Sequence, residues 1–414
     1  MTPRRLWKPA VSAAVFVFLA AKGPLPVPDS QSYLDAAITR APGYPALLML
    51  FHAVFGGWQL PAVCAFQLAV CVCGARFFAA ALEQPAAIEA VIQILALAPL
   101  FKLPTGGEPF FANMIASDGI SYGLWLFLAG MGARLLRAPS ARGLAGFGAV
   151  YAALMLARPQ FLFMVPVIML ACALLAAYRR ISWRAVWLAL PALAVFLAAT
   201  GFAERTWHYA VNGRFVKSQA LGTQLIPPAL YLAKAEDAAL FSGPEAGLFS
   251  EAFAKAEANG WTAPRRRAAN LMMAAHYTSV YDNLRASFCA GVGGNGADCA
   301  SAAGPVARKL LLAHRLEYVK LIAAQCLSYW PYYHAWAVAV VIALCFLSFR
   351  GRPGAVYFIF AVLADVLNLA TVCAAATAGP RYMIHTEIVL AAALLVFLSG
   401  AYMINSGYDR NRDT

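Results

Sequence analysis

The sequence predicts an all-α polytopic membrane protein, on three observations. Of its 414 residues, 62% are hydrophobic and only 12% are charged, a balance outside the range of soluble globular domains. The mean hydropathy is +0.66. The apolar residues form runs of about 20 residues, the length at which a helix crosses about 30 Å of hydrocarbon. We therefore expect about ten transmembrane helices, an interfacial helix and a small, mostly helical extracytoplasmic domain.

The first predicted span begins behind a basic N-terminus. Arg4, Arg5 and Lys8 precede an apolar run at residues 9–21, and no small-x-small cleavage site followed by a soluble domain comes after it. We expect this run to be retained. The run at residues 44–55 is too short to cross alone and is predicted to be interfacial or re-entrant. The other predicted spans are residues 59–82, 86–103, 113–136, 144–157, 161–177, 183–202, 330–347, 355–373 and 382–403.

The basic residues predict the orientation of the chain. The formal net charge is +13, but the charges occur in short clusters between apolar runs, so we expect membrane lipids and no nucleic acid as partners. The clusters fall on one side if the spans alternate, and that side is cytoplasmic. Both termini are then cytoplasmic, and the location predicted is a bacterial inner membrane. These clusters contain Arg134, Arg137, Arg142, Arg179, Arg180, Arg184, Arg350, Arg352, Arg410 and Arg412.

Three regions follow from this pattern. Residues 1–202 form an N-terminal transmembrane module, residues 203–329 an extracytoplasmic, mostly helical segment, and residues 330–414 the last spans with a short cytoplasmic tail. Cys289 and Cys299 bracket a Gly-rich turn on the outer face, where an oxidising periplasm would permit a disulfide. Whether they are bridged stays open. The other cysteines lie in or beside apolar runs and are expected to be small apolar fillers.

A polar, proline-rich stretch at residues 28–47 interrupts the apolar N-terminus. It contains Asp29, Tyr33 and the rigid corner Arg40-Ala41-Pro42-Gly43-Tyr44-Pro45. Loops held by stiff flanks often carry catalytic and binding residues. The first outer loop, residues 22–58, is therefore predicted to hold the chemistry, with Asp29 as its main residue. The alternative is that Asp29 only caps a helix at residues 30–38.

Several short motifs lie in a fixed order on the predicted outer face. They are Pro28-Asp29-Ser30 with Tyr33 and the corner at residues 40–45, Ser117-Asp118, Ala157-Arg158-Pro159, Asn212-Gly213-Arg214-Phe215-Val216 and Arg381-Tyr382. In these motifs the chain resembles the GT-C membrane glycosyltransferases, in particular the group related to protein mannosyltransferases. Members of that family move a sugar from a polyprenyl-phosphate carrier to an acceptor on the outer face. The resemblance covers most of the chain and implies a GT-C-like fold.

The resemblance implies an inverting transfer from a polyprenyl-phosphate-linked sugar donor to an envelope acceptor, which is a glycolipid, a polysaccharide or a protein. Such a reaction needs a base for the acceptor hydroxyl and cations for the departing phosphate. Asp29 would be the base, and Asp118 would help to organise the site. The substrate-binding residues would be Tyr33, Arg40, Tyr44, Arg158, Arg214, Lys217, Arg381, Tyr382 and His385.

The resemblance leaves a divalent metal open, with Asp29 and Asp118 as its ligands. Ser30 stands where the protein O-mannosyltransferase branch has a second acid, so protein mannosylation is the less favoured reaction. Simpler roles also stay open for single residues. Arg158 and Arg381 could be interfacial anchors, because long basic side chains extend to lipid headgroups. Arg214 could be turn surface, and His385 could make a hydrogen bond within the bundle.

Two other functional classes compete with the enzyme. A transporter or flippase of lipid-linked saccharides would place a polar path through the membrane midplane. This sequence concentrates its acids and arginines at one interface and leaves Asp365 nearly alone. A structural subunit of an envelope complex would not need Asp29 and Asp118 on the same face as three arginines.

Overall fold

The computed structural model describes residues 7–101, 110–177, 181–218, 220–263, 271–293, 296–329, 353–377 and 380–405, and these residues are all-helical. No β-strand occurs among them, although Leu25 and Met114 form an isolated bridge. The α-helices are α1 (Trp7–Ala20), α2 (Ser30–Leu34), α3 (Gly43–Phe55), α4 (Gln59–Ala81), α5 (Ala86–Leu97), α6 (Ser117–Arg137), α7 (Ala141–Ala157), α8 (Met164–Ala177), α9 (Trp183–Asn212), α10 (Ala220–Leu232), α11 (Pro244–Ala258), α12 (Leu271–Gly291), α13 (Gly296–Ala313), α14 (Arg315–Tyr329), α15 (Pro353–Ala375) and α16 (Pro380–Asn405).

Within the described residues, five helical segments are long and apolar enough to cross a membrane. They are Gly43–Ala81, Ser117–Arg137, Trp183–Asn212, Tyr357–Ala375 and Tyr382–Ser399. Shorter apolar helices occupy Lys8–Ala20, Ala86–Leu100, Ala141–Ala157 and Pro159–Ala173, where the sequence also predicts spans. The span predicted at residues 330–347 lies outside the described residues. The chain is therefore a helical membrane protein, and the count of about ten spans stays a prediction.

Two element boundaries differ from the sequence prediction. The helix predicted at residues 44–55 is joined to the next one through a 3-10 turn at Gly56–Trp58, so α3 and α4 form one 39-residue segment with a break at Gly56. Helix α9 does not end at residue 202 but continues to Asn212. Gly213 ends it with φ of 69°, as glycine often does at a helix C-terminus. Helices α10 to α14, which follow Gly213, are called the outer segment after the location that the sequence predicts for them.

The transmembrane core is built around a close contact between α4 and α6. A Cβ on Gly74 would lie 2.6 Å from the carbonyl oxygen of Gly123, so only glycine fits at this crossing. Small residues let transmembrane helices approach in this way. Phe78, Tyr122 and Trp125 pack in the same buried cluster. This packing fixes the first turn of α6, which carries Asp118.

The outer helices α10 to α14 have a hydrophobic core of their own. Tyr231, Phe249, Tyr277 and Phe288 are almost fully buried in it. Burial raises the pKa of the Tyr277 phenol well above its ordinary value. A disulfide joins Cys289, near the end of α12, to Cys299 in α13.

The outer segment packs on the C-terminal end of α15. The last carbonyls of a helix have no partner within the helix, so side chains often satisfy them. Here three side chains do so: Tyr281 Oη donates to Ala375 O (3.3 Å), Tyr318 Oη to Ala374 O, and Gln325 Nε2 to Cys373 O (3.0 Å). The outer segment is thus attached to the bundle at the end of a candidate span.

The opposite end of the bundle is held by polar contacts of its own. These are the ion pairs Lys8–Glu89 and Arg137–Glu83 and the hydrogen bond from Ser399 Oγ to Gln84 Oε1 (2.8 Å). They join the start of α1 to the first turn of α5, and the turn between α4 and α5 to the end of α6 and the C-terminal half of α16. The starts of α6 and α16 and the end of α15 therefore meet at the other end, beside the outer segment.

Candidate active site

A cavity of about 530 Å³ lies where the outer segment meets the bundle. The start of α6, the ends of α7 and α15, the C-terminal half of α9 and the start of α10 line it. A cavity of this size is typical of small-molecule sites. Seven residues predicted from the sequence line it: Asp29, Tyr33, Arg40, Asp118, Arg158, Lys217 and Tyr382.

Two short backbone segments bring Asp29 and Asp118 to the same cavity. Leu25 N donates to Asn113 O and Ile115 N donates to Leu25 O, each at 2.9 Å. Ser30 Oγ then donates to Ile115 O at 2.8 Å. Because these segments lead directly into α2 and α6, the pairing holds the two helix starts side by side. Two acids that lie far apart in the sequence thus face one space.

Asp29 is accessible from the cavity. Helix α2 is shorter than the predicted 30–38, and the Asp29 side chain makes no capping hydrogen bond to it. The capping alternative is therefore wrong. Instead, the carboxylate accepts a hydrogen bond from Arg40 Nη2 at 2.6 Å, and 39% of its side chain is exposed. The Arg40 guanidinium lies 4.5 Å from the centre of the Tyr33 ring, and Tyr33 Oη is 2.9 Å from Ser117 Oγ.

Asp118 and Arg158 form a buried ion pair at the floor of the cavity. Only 1% of the Asp118 side chain and 10% of the Arg158 side chain are exposed. Arg158 follows α7, and its guanidinium lies 5.1 Å from the centre of the Tyr382 ring. A side chain so buried and paired is not a lipid-headgroup anchor, so the interfacial reading of Arg158 is wrong. Charges in such a place require a partner, and each residue supplies the other's.

Arg158 is also held from its other side by residues that the sequence prediction missed. Its Nε donates to Gln160 Oε1 at 3.0 Å. Gln160 Nε2 in turn donates to Asn368 Oδ1 at 2.6 Å and to Tyr382 O at 3.1 Å. Gln160 stands two residues after Arg158 in the same corner, and that position was the available signal. Asn368 had none, because its role depends on packing.

Lys217 reaches the cavity over a glycine. Ser218 N donates to Glu204 Oε1 at 2.9 Å, which holds the loop after α9 against that helix. A Cβ on Gly201 would lie 3.0 Å from Lys217 Cε and 3.2 Å from Nζ. The described residues provide no ion pair for Lys217. Thr200, Glu204 and Gln224 also line this part of the cavity and were not predicted.

The structure does not bring all predicted residues to the cavity. Tyr44 is fully buried behind Tyr33, with the two rings 5.3 Å apart. Arg214 is exposed and does not line the cavity, in keeping with turn surface. The side chain of Arg381 lies outside the described residues.

His385 is buried below the cavity and does not line it. Its ring packs against those of Phe111, Tyr122 and Phe161, with centroids 5.2 to 6.5 Å apart. Among the described residues, no hydrogen-bond partner is found for either of its ring nitrogens. The hydrogen bond expected within the bundle stays a prediction for His385, whose ring lies near the backbone of Tyr382 and Asp118.

Asp365 is not as isolated as the sequence suggested. Asn368 lies one helical turn away and donates to Thr386 Oγ1 at 3.1 Å. Asp365, Asn368, His385 and Thr386 are all buried. Glu387 accepts a hydrogen bond from Tyr329 at 3.0 Å. Polar side chains therefore continue from the cavity into the bundle between α15 and α16.

The residues around Asp29 and Asp118 do not fit a divalent metal. Each carboxylate is already bound by a guanidinium group, Asp29 by Arg40 and Asp118 by Arg158. The positive charge of each guanidinium group would repel a second cation at the same carboxylate. In the part of the chain that the structure describes, no group of three His, Cys, Asp or Glu side chains could hold an ion. We derive no reaction step through a metal.

No family model, curated protein or solved structure matches this chain. The geometry of the cavity is therefore the basis for assigning a function.

Proposed function

We propose that the protein is an inverting membrane glycosyltransferase that moves a sugar from a polyprenyl-phosphate donor to an extracytoplasmic acceptor of the cell envelope. One observation carries the proposal: an accessible carboxylate and several cationic side chains, from distant parts of the sequence, line one cavity at one end of an apolar bundle. The resemblance of the sequence motifs to GT-C enzymes adds to it.

In the proposed reaction, Asp29 accepts the proton of the acceptor hydroxyl as that oxygen attacks the anomeric carbon. A new carbon–oxygen bond forms on one face of the sugar while the bond to phosphate breaks on the other. The bonding electrons leave with the phosphate, so the anomeric configuration inverts. General base catalysis of this kind requires a carboxylate within hydrogen-bond reach of the hydroxyl. The exposure of Asp29 supports that role, and its contact with Arg40 holds the carboxylate in one orientation.

Lys217 and Arg158 are the proposed phosphate-binding cations. Charge develops on the phosphate oxygens as the sugar departs, and fixed cations stabilise it without reorganising. Arg158 is suited by its planar, permanently charged fork. Asp118, with 1% of its side chain exposed, is too buried to act as a base and instead holds Arg158. Arg381, in the first turn of α16, is a third candidate by sequence.

The remaining lining suits a lipid-linked donor. Leu156, Leu162, Leu197 and Leu221 line the cavity beside the polar residues. An isoprenoid chain can pack against such side chains without burying an unpaired polar group. The polar and apolar parts of the lining thus match the two parts of the donor.

The direct test measures transfer from labelled polyprenyl-phosphate sugars by purified wild type and Asp29→Asn protein. The asparagine cannot accept the proton, so we expect turnover to fall about 10²- to 10⁴-fold with donor binding retained. Asp35→Asn is a matched control, because Asp35 is exposed, bonds only locally to Gln31 and does not line the cavity. Undiminished turnover in Asp29→Asn would remove the base assignment.

A flippase of lipid-linked saccharides is the second candidate, favoured by the buried polar residues between α15 and α16. Ionisable residues inside a membrane protein often mark a transport path. Proteoliposomes separate the two candidates. An enzyme consumes donor only when acceptor is present and stops in Asp29→Asn, whereas a flippase moves intact donor across the bilayer without acceptor.

A further inference from the structure

Two nitrogens of the Arg158 guanidinium group donate hydrogen bonds to protein side chains. Arg158 also lines the cavity. One terminal nitrogen bonds Asp118, and Nε donates to Gln160 Oε1 at 3.0 Å. The Tyr382 ring lies 5.1 Å from the guanidinium carbon. A guanidinium group has five N–H donors, and these contacts use only some of them. Two fixed points define its plane, so the remaining donors point in a set direction.

Gln160 can hold Nε only because its own amide is fixed. An amide offers an acceptor oxygen and a donor nitrogen, and Gln160 uses both: the oxygen for Arg158 and the nitrogen for Asn368 Oδ1 (2.6 Å) and Tyr382 O (3.1 Å). The Asn368 amide is oriented in turn, because its nitrogen donates to Thr386 Oγ1 and to Tyr382 O, each at 3.1 Å.

We infer that Gln160 is a positioning residue, which aligns the guanidinium group of Arg158 with the anionic leaving group and is itself aligned by Asn368. The inference rests on the proposed function. Gln160 is half-buried and lines the cavity, whereas Asn368 is fully buried. The hydrogen bonds that link Asn368 through Gln160 to Arg158 are called the relay. They join the corner after α7 to α15 and α16, which are distant from it in the sequence. Small errors in the position of such a group can lower the rate about 100-fold.

The chemistry of position 160 provides the test. Gln160→Met has a similar shape but neither accepts nor donates, so Arg158 loses its second fixed point. Gln160→Glu still accepts from Arg158 Nε but cannot donate to Asn368. We expect kcat to fall about 10- to 100-fold in Gln160→Met, with the donor KM changed less than about threefold. Gln160→Glu should recover a large part of the loss.

Gln84→Met is the matched control. Gln84 also joins two elements through its amide, with Ser399 Oγ and Leu82 O, but at the opposite end of the bundle. It should leave kcat unchanged. If Gln160→Met does not fold, the relay is tested by comparing the kcat of Asn368→Asp with that of Gln160→Glu. An acid at position 368 still accepts from Gln160, so kcat should stay within about threefold of wild type and above that of Gln160→Glu. Equal kcat values in these two variants would contradict the relay.

Each outcome bears on one claim. Wild-type transfer with an unchanged kcat in folded Gln160→Met overturns the inference alone. A purely structural role predicts that activity falls only in proportion to folded protein, with no recovery in Gln160→Glu, and that result also overturns it. A wild-type protein that neither transfers labelled sugar nor gains thermal stability from polyprenyl phosphate overturns the proposed function, and this inference with it.

Discussion

Gly43 lies against the backbone of Ala157 so closely that a Cβ on Gly43 would be 2.8 Å from the Ala157 nitrogen. This contact joins the corner that carries Arg40 to the corner that carries Arg158. Gly43→Ala must therefore push the two corners apart, because backbone atoms cannot yield as a flexible side chain does. We expect a loss of about 1–3 kcal/mol in stability and a larger relative loss in sugar transfer, measured as the melting temperature and the initial rate.

Gly148→Ala is the control for this substitution. Gly148 lies in α7, the helix that ends at Ala157, but no atom lies within 4 Å of the position its Cβ would take. Its effect on stability should stay within about 1 kcal/mol and its transfer rate should equal that of wild type. If Gly43→Ala behaves like Gly148→Ala, the two corners are not rigidly coupled.

A second prediction concerns the contact between Lys217 and Gly201. Lys217→Met removes one charge-assisted contact and should weaken the binding of polyprenyl phosphate about tenfold. Gly201→Ala would place a methyl group 3.0 Å from Lys217 Cε, so the flexible end of the lysine must shift by a few tenths of an ångström. Gly201→Ala should therefore weaken binding less than Lys217→Met. In the double variant the losses should not add, because both act on one contact. Additive losses, measured by titration calorimetry, would contradict this arrangement.

The convergence of Asp29, Asp118 and Arg158 could be expected from the sequence, because apolar spans alternate in direction and their flanking motifs fix which end each residue occupies. The contact between Gln160 and Asn368 could not, because the two residues are 208 positions apart. Their meeting depends on how α15 rotates about its axis. The same limit explains His385: it follows Tyr382 by one turn, yet Tyr382 lines the cavity and His385 faces the aromatic rings beneath it.

The end of α9 was also beyond the sequence prediction. Composition changes from apolar to polar after residue 202, and that change marks where a helix leaves the hydrocarbon. The backbone does not end there, because residues 203–211 contain neither proline nor glycine and a helix can continue through them. Gly213 is the first position that favours a left-handed turn, and the helix ends before it.

A third prediction concerns the disulfide between Cys289 and Cys299, which closes a loop with a sequence separation of 10. Such a link limits the unfolded chain, so the double variant Cys289→Ser/Cys299→Ser should lose about 2–3 kcal/mol of stability in the outer segment. Alkylation should modify neither cysteine without reductant and both after reduction. Cys73→Ser, which removes an exposed free cysteine in α4, should leave the melting temperature unchanged. Two thiols that react freely without reductant would show that the bridge does not form.

The last prediction concerns alkaline stability. Burial raises the pKa of the Tyr318 phenol to about 12, above an ordinary value near 10, and this phenol donates to Ala374 O at the end of α15. The folded state thus favours the protonated form. Its contribution is complete below about pH 10 and is lost as the pH rises toward about 12. Across that interval the wild-type melting temperature should fall more steeply than that of Tyr318→Phe, which has no proton to lose.

At pH 7 the variant should already be less stable, because Ala374 O loses its donor, and the outer segment should be cleaved faster by protease. Tyr209→Phe, at an exposed tyrosine of α9, should follow the wild-type curve at every pH. Parallel curves for wild type and Tyr318→Phe above pH 10 would show that this phenol does not couple the outer segment to the bundle.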